Sequence, residues 1–354
     1  MPAFEVRRDD IRTTRVVPGE APEPAEGVAV LAVERFGLTA NNFTYAVFGE
    51  AMAYWNFFPA EDPAWGRVPV WGFGEVVSSR AAGVEPGQRY YGFFPLAGDL
   101  TVRPQQRGRG LVDAAPHRAE LPPIYNEYVL TPPDAPKPDE TLLLRPLFGT
   151  SFLLAAFLDE QRSFGATTVV LSSASSKTAY GLAFLLSRHE AGPAVVGLTS
   201  ARNRAFVESL GVYDAVVEYG EIADGLAGDA PLVYVDMAGD GAVRAAVHGA
   251  AGERLRHSAV VGAAHWDQAG PTPRDLPGPR PAFFFAPDHL LRLRTELGGA
   301  ELGRRMETAW DAFIARVGDW LEIEHGEGAE AVERVWRALA DGSADPRRGH
   351  VLRL

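Results

Sequence analysis

Cysteine is absent from this chain of 354 residues. Its absence excludes structural disulfides, cysteine-ligated zinc, iron–sulfur clusters and a thiol nucleophile. The eight histidines are scattered along the sequence and form no pattern with metal-ligand spacing. The sequence therefore predicts neither a metal site nor redox chemistry at sulfur.

Long apolar runs and positive charge are also scarce. No apolar run reaches the roughly 18 residues typical of a membrane span, and the first residues lack the apolar core of a secretory signal. The net charge is −12, from 34 Lys and Arg against 46 Asp and Glu. Such a surface repels nucleic-acid phosphates and anionic lipids. We therefore expect a cytoplasmic protein with neither nucleic-acid nor membrane partners.

Hydrophobic residues make up 46% of the chain, which is ample for a core, and the length suits about two domains. The first 130 residues are β-rich. Alternating and aromatic-rich segments predict strands at 28–36, 73–79 and 89–94. The stretch 95–123 holds Pro, Gly and several Arg, which predicts an exposed loop.

The pattern changes after residue 146, where an apolar segment of helical length is predicted at 147–161. Short apolar segments then alternate with helical ones, and the strands are predicted at 167–172, 194–199, 215–218, 232–237 and 255–261. This alternation indicates βαβ units around a parallel sheet that is buried on both faces. Because crossovers are right-handed, the sheet is expected to be doubly wound.

Several segments, taken in order, resemble the medium-chain dehydrogenase/reductases, in particular their zinc-free quinone-oxidoreductase and enoyl-reductase branch. The resembling segments are GFGEVV to GVEPGQRYYG (72–92), Asn41–Asn42 with 43–45, 167–181, TSARNRAFVESLG (199–211) with DAVVEY (214–219), and GHVLRL (349–354). Gln88 and Tyr45 stand where this family usually has Asp. The family's zinc-binding Gly-His-Glu pattern is absent.

The resemblance implies an α/β fold, in which a Rossmann-like doubly wound parallel sheet accompanies a β-rich GroES-like domain. The expected domains are a GroES-like substrate domain at 1–140, a Rossmann-like nucleotide-binding domain at 141–278, and a C-terminal return to the substrate domain at 279–354. The resemblance also implies a homodimer, whose subunits would pair through the nucleotide domain.

The loop expected to meet the cofactor phosphates has no glycine, although glycines are usual there. Ser175, Ser176 and Thr178 offer hydroxyls and Lys177 offers an ammonium group at a helix N-terminus. One interpretation is that these groups bind phosphate in place of bare backbone. The other is that they only cap the helix, and that cofactor binding is weakened or lost.

The end of the second strand indicates which dinucleotide would bind. NAD sites carry an acidic residue there, whereas this sequence has Ser200, Arg202 and Asn203. Arginine and serine suit the 2′-phosphate of NADP(H). Arg204 is better interpreted as a solvated helix residue than as a ligand of the 2′-phosphate.

Three further residues are expected near the nicotinamide by resemblance. Gly262 and Ala263 follow the strand predicted at 255–261, and Phe284 follows a proline-rich loop. From its composition alone, the segment around Phe284 could equally be a plug in the core.

Asn42, Tyr45 and Tyr54 are the candidate catalytic residues, because they are polar groups in an aromatic setting. A tyrosine near the cofactor can protonate an enolate or bond a quinone oxygen. The alternative is that these aromatics only line an apolar pocket.

Two functions remain open from sequence. One is an NADPH-dependent reductase of a small apolar conjugated carbonyl compound, such as a quinone, enone or enoyl thioester. The other is a non-redox protein that keeps the fold and binds another ligand or a protein partner, since fold alone does not establish chemistry.

Overall fold

The computed structural model describes residues 1–20, 22–189, 192–261 and 275–354. Its strands are β1 Ala3–Arg7, β2 Thr14–Val17, β3 Ala29–Leu38, β4 Trp65–Arg67, β5 Pro69–Ser79, β6 Arg89–Pro95, β7 Asp99–Val102, β8 Pro104–Arg107, β9 Gly110–Asp113, β10 Glu127–Leu130, β11 Thr168–Leu171, β12 Ala194–Thr199, β13 Ala215–Glu218, β14 Leu232–Asp236, β15 Leu255–Val260, β16 Ala282–Phe283, β17 Glu322–Glu327 and β18 Arg348–Arg353. Its helices are α1 Ala40–Val47, α2 Pro138–Glu160, α3 Lys177–Leu186, α4 Arg204–Ser209, α5 Ile222–Gly225, α6 Gly241–Ala251, α7 Ala286–Leu297, α8 Gly299–Val317 and α9 Ala329–Ala340.

The chain divides into two compact units. Unit 1 comprises Met1–Leu143 and Ile323–Leu354, and unit 2 comprises Leu144–Glu322. The sequence predicts domain boundaries after residues 140 and 278, whereas the structure divides the chain after Leu143 and Glu322. The second division therefore lies later in the chain than the predicted one. Residues 299–317 belong to unit 2 because the α8 residue Phe313 stacks on Phe148 at 4.6 Å.

Unit 1 is the β-rich unit. Its larger sheet has the order β17-β18-β3-β5-β6-β10-β9-β8, with β7 also paired to β3, and a smaller sheet has the order β2-β1-β4. The long pairing of β3 with β5 and of β5 with β6 is antiparallel. Strands β7, β8 and β9 occupy the stretch that the sequence predicts to be an exposed loop, so that prediction is wrong.

Unit 2 holds a sheet of order β13-β12-β11-β14-β15-β16, whose pairs are parallel. Strands such as TVVL in β11 are buried and rich in β-branched side chains, as expected for a parallel sheet covered on both faces. The order runs outward in both directions from β11, which is the doubly wound arrangement. The predicted fold class is confirmed.

Helix α2 is long and apolar enough, by length and composition, to cross a membrane, which differs from the sequence expectation. Half of its most apolar window is buried inside the protein. Within unit 2 its Phe148 packs against Trp310 and Phe313 of α8. A core helix of a soluble protein meets the same criterion, and the packing of Phe148 agrees with that role.

Candidate functional site

The loop between β11 and α3, Ser172–Ser176, lies where the strand order of unit 2 reverses, because β12 and β14 flank β11 on opposite sides. In open α/β sheets, ligands bind at the carboxyl ends of the strands beside such a reversal. We refer to this segment as the β11–α3 loop. It contains Ser175 and Ser176 of the predicted phosphate site, and its conformation decides whether they can serve there.

Ser172 ties the loop to the end of β14. Its hydroxyl donates to Asp236 Oδ1 at 2.9 Å and accepts from the backbone N–H groups of Met237 and Ala238 at 3.0 and 3.1 Å. Ser172 and Asp236 are fully buried. These bonds hold together the two strand ends that border the expected ligand crevice.

Asp236 is balanced by a buried arginine. Arg244 Nε and Nη2 donate to Asp236 Oδ2 at 2.9 and 2.8 Å, and both residues are almost completely buried. The other carboxylate oxygen, Oδ1, also accepts from the N–H groups of Ala238 and Gly239. The carboxylate is therefore a fixed anchor beneath the loop.

The remaining loop residues are each held by a group from elsewhere. Ser173 has a φ of 49°, in the left-handed region that favours glycine, and its N–H donates to the Tyr219 hydroxyl at 3.0 Å. Tyr213 donates to the carbonyl of Ala174 at 2.8 Å. Asn203 donates to Ser175 Oγ at 3.2 Å. Side-chain contacts thus fix a conformation that glycines normally make accessible.

Ser176 begins helix α3 as its N-cap and accepts from the N–H of Ala179 at 3.2 Å. The first-turn amides of a helix lack intrahelical acceptors, and the helix dipole adds partial positive charge there. Lys177 and Thr178 stand in this first turn, and the Lys177 ammonium lies 6.0 Å from the Trp320 ring centre. This arrangement suits an anion, although Tyr219 already engages the Ser173 amide.

Close packing under the loop depends on a glycine in the neighbouring strand. A Cβ added at Gly197 of β12 would lie 2.9 Å from the Cβ of Ala174 and 2.9 Å from the Tyr213 ring. The small residue that lets the backbones approach therefore lies beside the loop rather than within it.

We expect Gly197→Ala to lower the free energy of unfolding by about 1–3 kcal/mol, the usual cost of overpacking a dense interior. The matched control is Gly249→Ala in α6, an exposed position where an added Cβ meets nothing within 4 Å. That variant should be neutral or stabilising, since alanine is the better helix former. Urea denaturation measures both. Equal stability of the two variants would contradict the close contact.

At the end of β12, Thr199 is buried, whereas Arg202 is exposed. Ser200 precedes a short 3-10 turn, Ala201–Asn203. Arg204 makes ion pairs with Glu208, Glu218 and Glu221 at 3.0–3.2 Å. Arg204 is thus committed to carboxylates, which agrees with its interpretation as a helix surface residue.

Two of the residues predicted near the nicotinamide, Gly262 and Ala263, lie outside the described residues. Phe284 is buried; its ring stacks on His289 at 4.1 Å and lies 5.6 Å from Phe157. These contacts agree with the alternative interpretation, in which Phe284 is a core residue of unit 2.

In unit 1, Tyr45 and Tyr54 belong to a buried aromatic group. We call Tyr45, Tyr54 and Tyr125 the tyrosine cluster. The rings of Tyr45 and Tyr54 lie 4.7 Å apart, and the hydroxyl oxygens of Tyr54 and Tyr125 are 3.3 Å apart. Trp71 Nε1 donates to the Tyr45 hydroxyl at 3.1 Å. The sequence prediction included Tyr45 and Tyr54 but missed Tyr125.

Burial raises the pKa of each hydroxyl in the tyrosine cluster above its ordinary value. The three phenols are therefore neutral at physiological pH and keep their hydrogens. Neutral hydroxyls in an apolar surrounding are suited to donate hydrogen bonds to a carbonyl oxygen or its enolate.

Asn42 has a local structural role. Its Oδ1 accepts from the N–H of Thr39 at 2.8 Å, which closes a capping box at the start of α1. Its Nδ2 donates to the carbonyl of Pro69 at 2.8 Å. Because both ends of the amide bond to the backbone, Asn42 orients the helix that carries Tyr45.

Arg118 is the other group that sequence reasoning missed. It is fully buried, and it donates to Asp113 Oδ2 at 2.8 Å, the Tyr128 hydroxyl at 3.0 Å and the carbonyl of Tyr125 at 2.8 Å. The carbonyl of Arg118 in turn accepts from Asn126 Nδ2 at 3.1 Å. Arg118 thereby fixes the segment that carries Tyr125.

Solved structures share this architecture at low sequence identity. The fold is similar to CurA from Vibrio vulnificus in complex with NADPH, with TM-score 0.67, 15% identity, and 99% and 98% of the two chains covered. It is similar to a putative NADPH:quinone reductase from Mesorhizobium loti, with TM-score 0.61, 13% identity, and coverage of 100% and 98%. The CurK enoyl reductase matches with TM-score 0.58, 13% identity, and coverage of 99% and 98%.

The chain therefore has the fold of the medium-chain dehydrogenase/reductases, as the sequence resemblance predicts. Residues 36–345 match the sequence model of a family described as "Protein of unknown function (DUF2855)", and the chain belongs to that family. No curated protein matches it.

Proposed function

We propose that this protein is an NADPH-dependent reductase of a small apolar conjugated carbonyl compound, such as a quinone, an enone or an enoyl thioester. The observation that carries the proposal is the β11–α3 loop, which is fixed at the strand reversal and leads directly into the N-terminus of α3. CurA, which shares the fold, was solved in complex with NADPH. The Mesorhizobium loti protein, which also shares it, is described as a putative NADPH:quinone reductase.

The residues of unit 2 fit the phosphates of the cofactor. Ser175, Ser176, Lys177 and Thr178 would face the pyrophosphate at the helix N-terminus, and Ser200, Arg202 and Asn203 would bind the 2′-phosphate. Bound NADPH would supply a hydride. Gly262, Ala263 and Phe284 stay proposed neighbours of the nicotinamide.

The tyrosine cluster supports the carbonyl half of the proposal. Tyr45 and Tyr54 are the proposed catalytic residues, since their neutral hydroxyls can donate to a carbonyl oxygen that gains negative charge as reduction proceeds. Asn42 would act by holding the helix of Tyr45. The surrounding rings of Trp71 and Phe93 favour an apolar, planar substrate.

Calorimetric titration with NADPH and NADH at one fixed salt concentration tests the cofactor assignment. We expect NADPH to bind at least tenfold more tightly than NADH, because a charge-assisted hydrogen bond contributes about 1.5–3 kcal/mol. Arg202→Gln should remove most of this preference, and Lys177→Gln should weaken both dinucleotides. Arg204→Gln is the matched control, since Arg204 is paired with three glutamates.

A second candidate function is a non-redox protein that binds another ligand or a protein partner. The engagement of the Ser173 amide by Tyr219 favours it, because phosphate loops normally direct such amides at the ligand. Failure of both dinucleotides to bind would favour this candidate. Glycines introduced at Ser176 and Lys177 would then show whether the loop is the reason, by a gain of binding.

The expected partners also stay proposals. They are a small apolar substrate and a second copy of the chain, without nucleic acid or membrane, in the cytoplasm. The net charge of −12 supports the exclusion of polyanionic partners. Sedimentation analysis of the purified protein tests the homodimer, and a result that showed only monomer would contradict it.

A further inference from the structure

Tyr54 and Tyr125 share one hydrogen bond between two hydroxyl groups, whose oxygens lie 3.3 Å apart. Each phenol carries one hydrogen, and at this distance either oxygen can donate within the pair. When Tyr54 gives its hydrogen to a ligand, the shared bond must therefore be donated by Tyr125 and accepted by Tyr54.

Both the ring and the backbone of Tyr125 are held in place. Its ring packs against Phe93 at 4.5 Å and Phe57 at 5.3 Å. Its carbonyl accepts from the buried Arg118, and its N–H donates to the carbonyl of Pro122. Tyr125 is thereby fixed from both its ring and its backbone, so its hydroxyl has little freedom to leave Tyr54.

We propose that Tyr125 is a positioning residue for Tyr54, which it turns into a one-directional hydrogen-bond donor to an enolate-type or phenolate-type oxygen of the ligand. By donating to the Tyr54 oxygen, Tyr125 directs the Tyr54 hydrogen away from the pair. A hydroxyl that accepts one hydrogen bond also becomes a stronger donor, because neighbouring hydrogen bonds polarise one another. This inference rests on the proposed reductase function and names a residue that the function does not otherwise require.

Tyr45 differs from this pair. Its oxygen accepts from Trp71 at 3.1 Å, and its ring rather than its hydroxyl contacts Tyr54. Removal of the Tyr45 hydroxyl should therefore leave the coupling between Tyr54 and Tyr125 intact. The cluster thus contains two separate donor arrangements, and only one of them depends on Tyr125.

The test uses 4-nitrophenolate as a stable oxyanion, with the full-length protein and no dinucleotide. Binding is followed by the shift of the phenolate absorbance band, which reports hydrogen bonding to the anion directly. We expect Tyr54→Phe to weaken binding by about thirtyfold and Tyr125→Phe by about tenfold, the range for hydrogen bonds to a charged group. The double variant should bind no more weakly than Tyr54→Phe, because Tyr125 acts through Tyr54.

Tyr90→Phe is the matched control, since Tyr90 is a buried tyrosine of unit 1 whose hydroxyl donates to Gln88 at 2.9 Å. It should bind 4-nitrophenolate like the wild type, with the same absorbance band. Unchanged binding in Tyr125→Phe would overturn the proposal, and so would losses that multiply in the double variant. Denaturation curves of each variant verify that the unit is folded.

The outcome is independent of the cofactor assignment. If NADPH fails to bind but 4-nitrophenolate shows the coupled losses, the tyrosine pair stands and the reductase function falls. If NADPH binds and enones are reduced while Tyr125→Phe matches the wild type in both measurements, the function stands and the positioning role falls.

Discussion

Replacement of Arg118 by methionine is expected to lower the free energy of unfolding of unit 1 by about 3–5 kcal/mol. The guanidinium is fully buried and is the direct counter-charge of Asp113, which is itself 2% exposed. Loss of one partner leaves the other charge buried without compensation, and this costs far more than the pair contributes when intact. Urea denaturation followed by tryptophan fluorescence measures the change.

A second substitution isolates the charge from the packing. Asp113 Oδ1 accepts from the N–H groups of Arg103 and Ala115, and an asparagine can preserve these bonds. Arg118→Met combined with Asp113→Asn should therefore recover much of the lost stability. Arg80→Met is the surface control, because its pair with Glu26 is exposed and contributes at most about 1 kcal/mol. A double variant as unstable as Arg118→Met would show that charge is not the cause.

Replacement of Asp236 by alanine is expected to have the largest effect in unit 2, with a similar loss of about 3–5 kcal/mol. The substitution strands the buried Arg244 and removes the acceptor of the Ser172 hydroxyl and two backbone amides. Because Ser172 ties the β11–α3 loop to β14, NADPH affinity should fall together with stability. Urea denaturation and calorimetric titration are the two measurements.

Ser172→Ala separates the two effects. It leaves the Asp236–Arg244 pair in place and removes the bonds of the Ser172 hydroxyl to Asp236 Oδ1 and to the N–H groups of Met237 and Ala238. We expect a smaller loss of stability, about 1–3 kcal/mol, with a clear loss of NADPH affinity. Arg304→Met, at an exposed pair with Glu301 on α8, is the surface control. Unchanged affinity in Ser172→Ala would show that the bridge does not organise the cofactor site.

Unit 2 could be predicted closely from sequence because its strands are continuous apolar runs bounded by turns. The strands predicted at 194–199 and 215–218 coincide with β12 and β13 as the structure has them. Both faces of such a sheet are buried, so the signal lies in each segment itself. No partner segment has to be known before the strand can be recognised.

The prediction of an exposed loop at 95–123 was wrong for the opposite reason. Its strands are short and polar on one face, and β8 reads PQQR with mostly exposed side chains. Arg118 looks like a surface residue until Asp113, Tyr125 and Tyr128 converge on it from other segments. Only the tertiary structure supplies those partners, so the basis for positioning Tyr125 was not visible in the sequence.

The candidate cofactor loop lies between these two cases. Its place after β11 follows from local sequence and was predicted, and the cap at Ser176 was one of the two interpretations of its hydroxyl residues. The contacts of Tyr213 and Tyr219 with the loop were not predicted, because both residues follow β12 in the sequence and are distant from the loop along the chain. What appears in sequence as a loop lacking glycine is, in the structure, a loop with supports from other elements.

The fit between Ala174 and Gly197 also limits which residues the two positions can hold together. A side chain at 197 would need space that the methyl group at 174 occupies, since an added Cβ would lie 2.9 Å from it. The Tyr213 ring lies equally near that Cβ, so a glycine at 174 alone would not make room for it. We therefore expect the effects of substitutions at 174, 197 and 213 on stability to be non-additive.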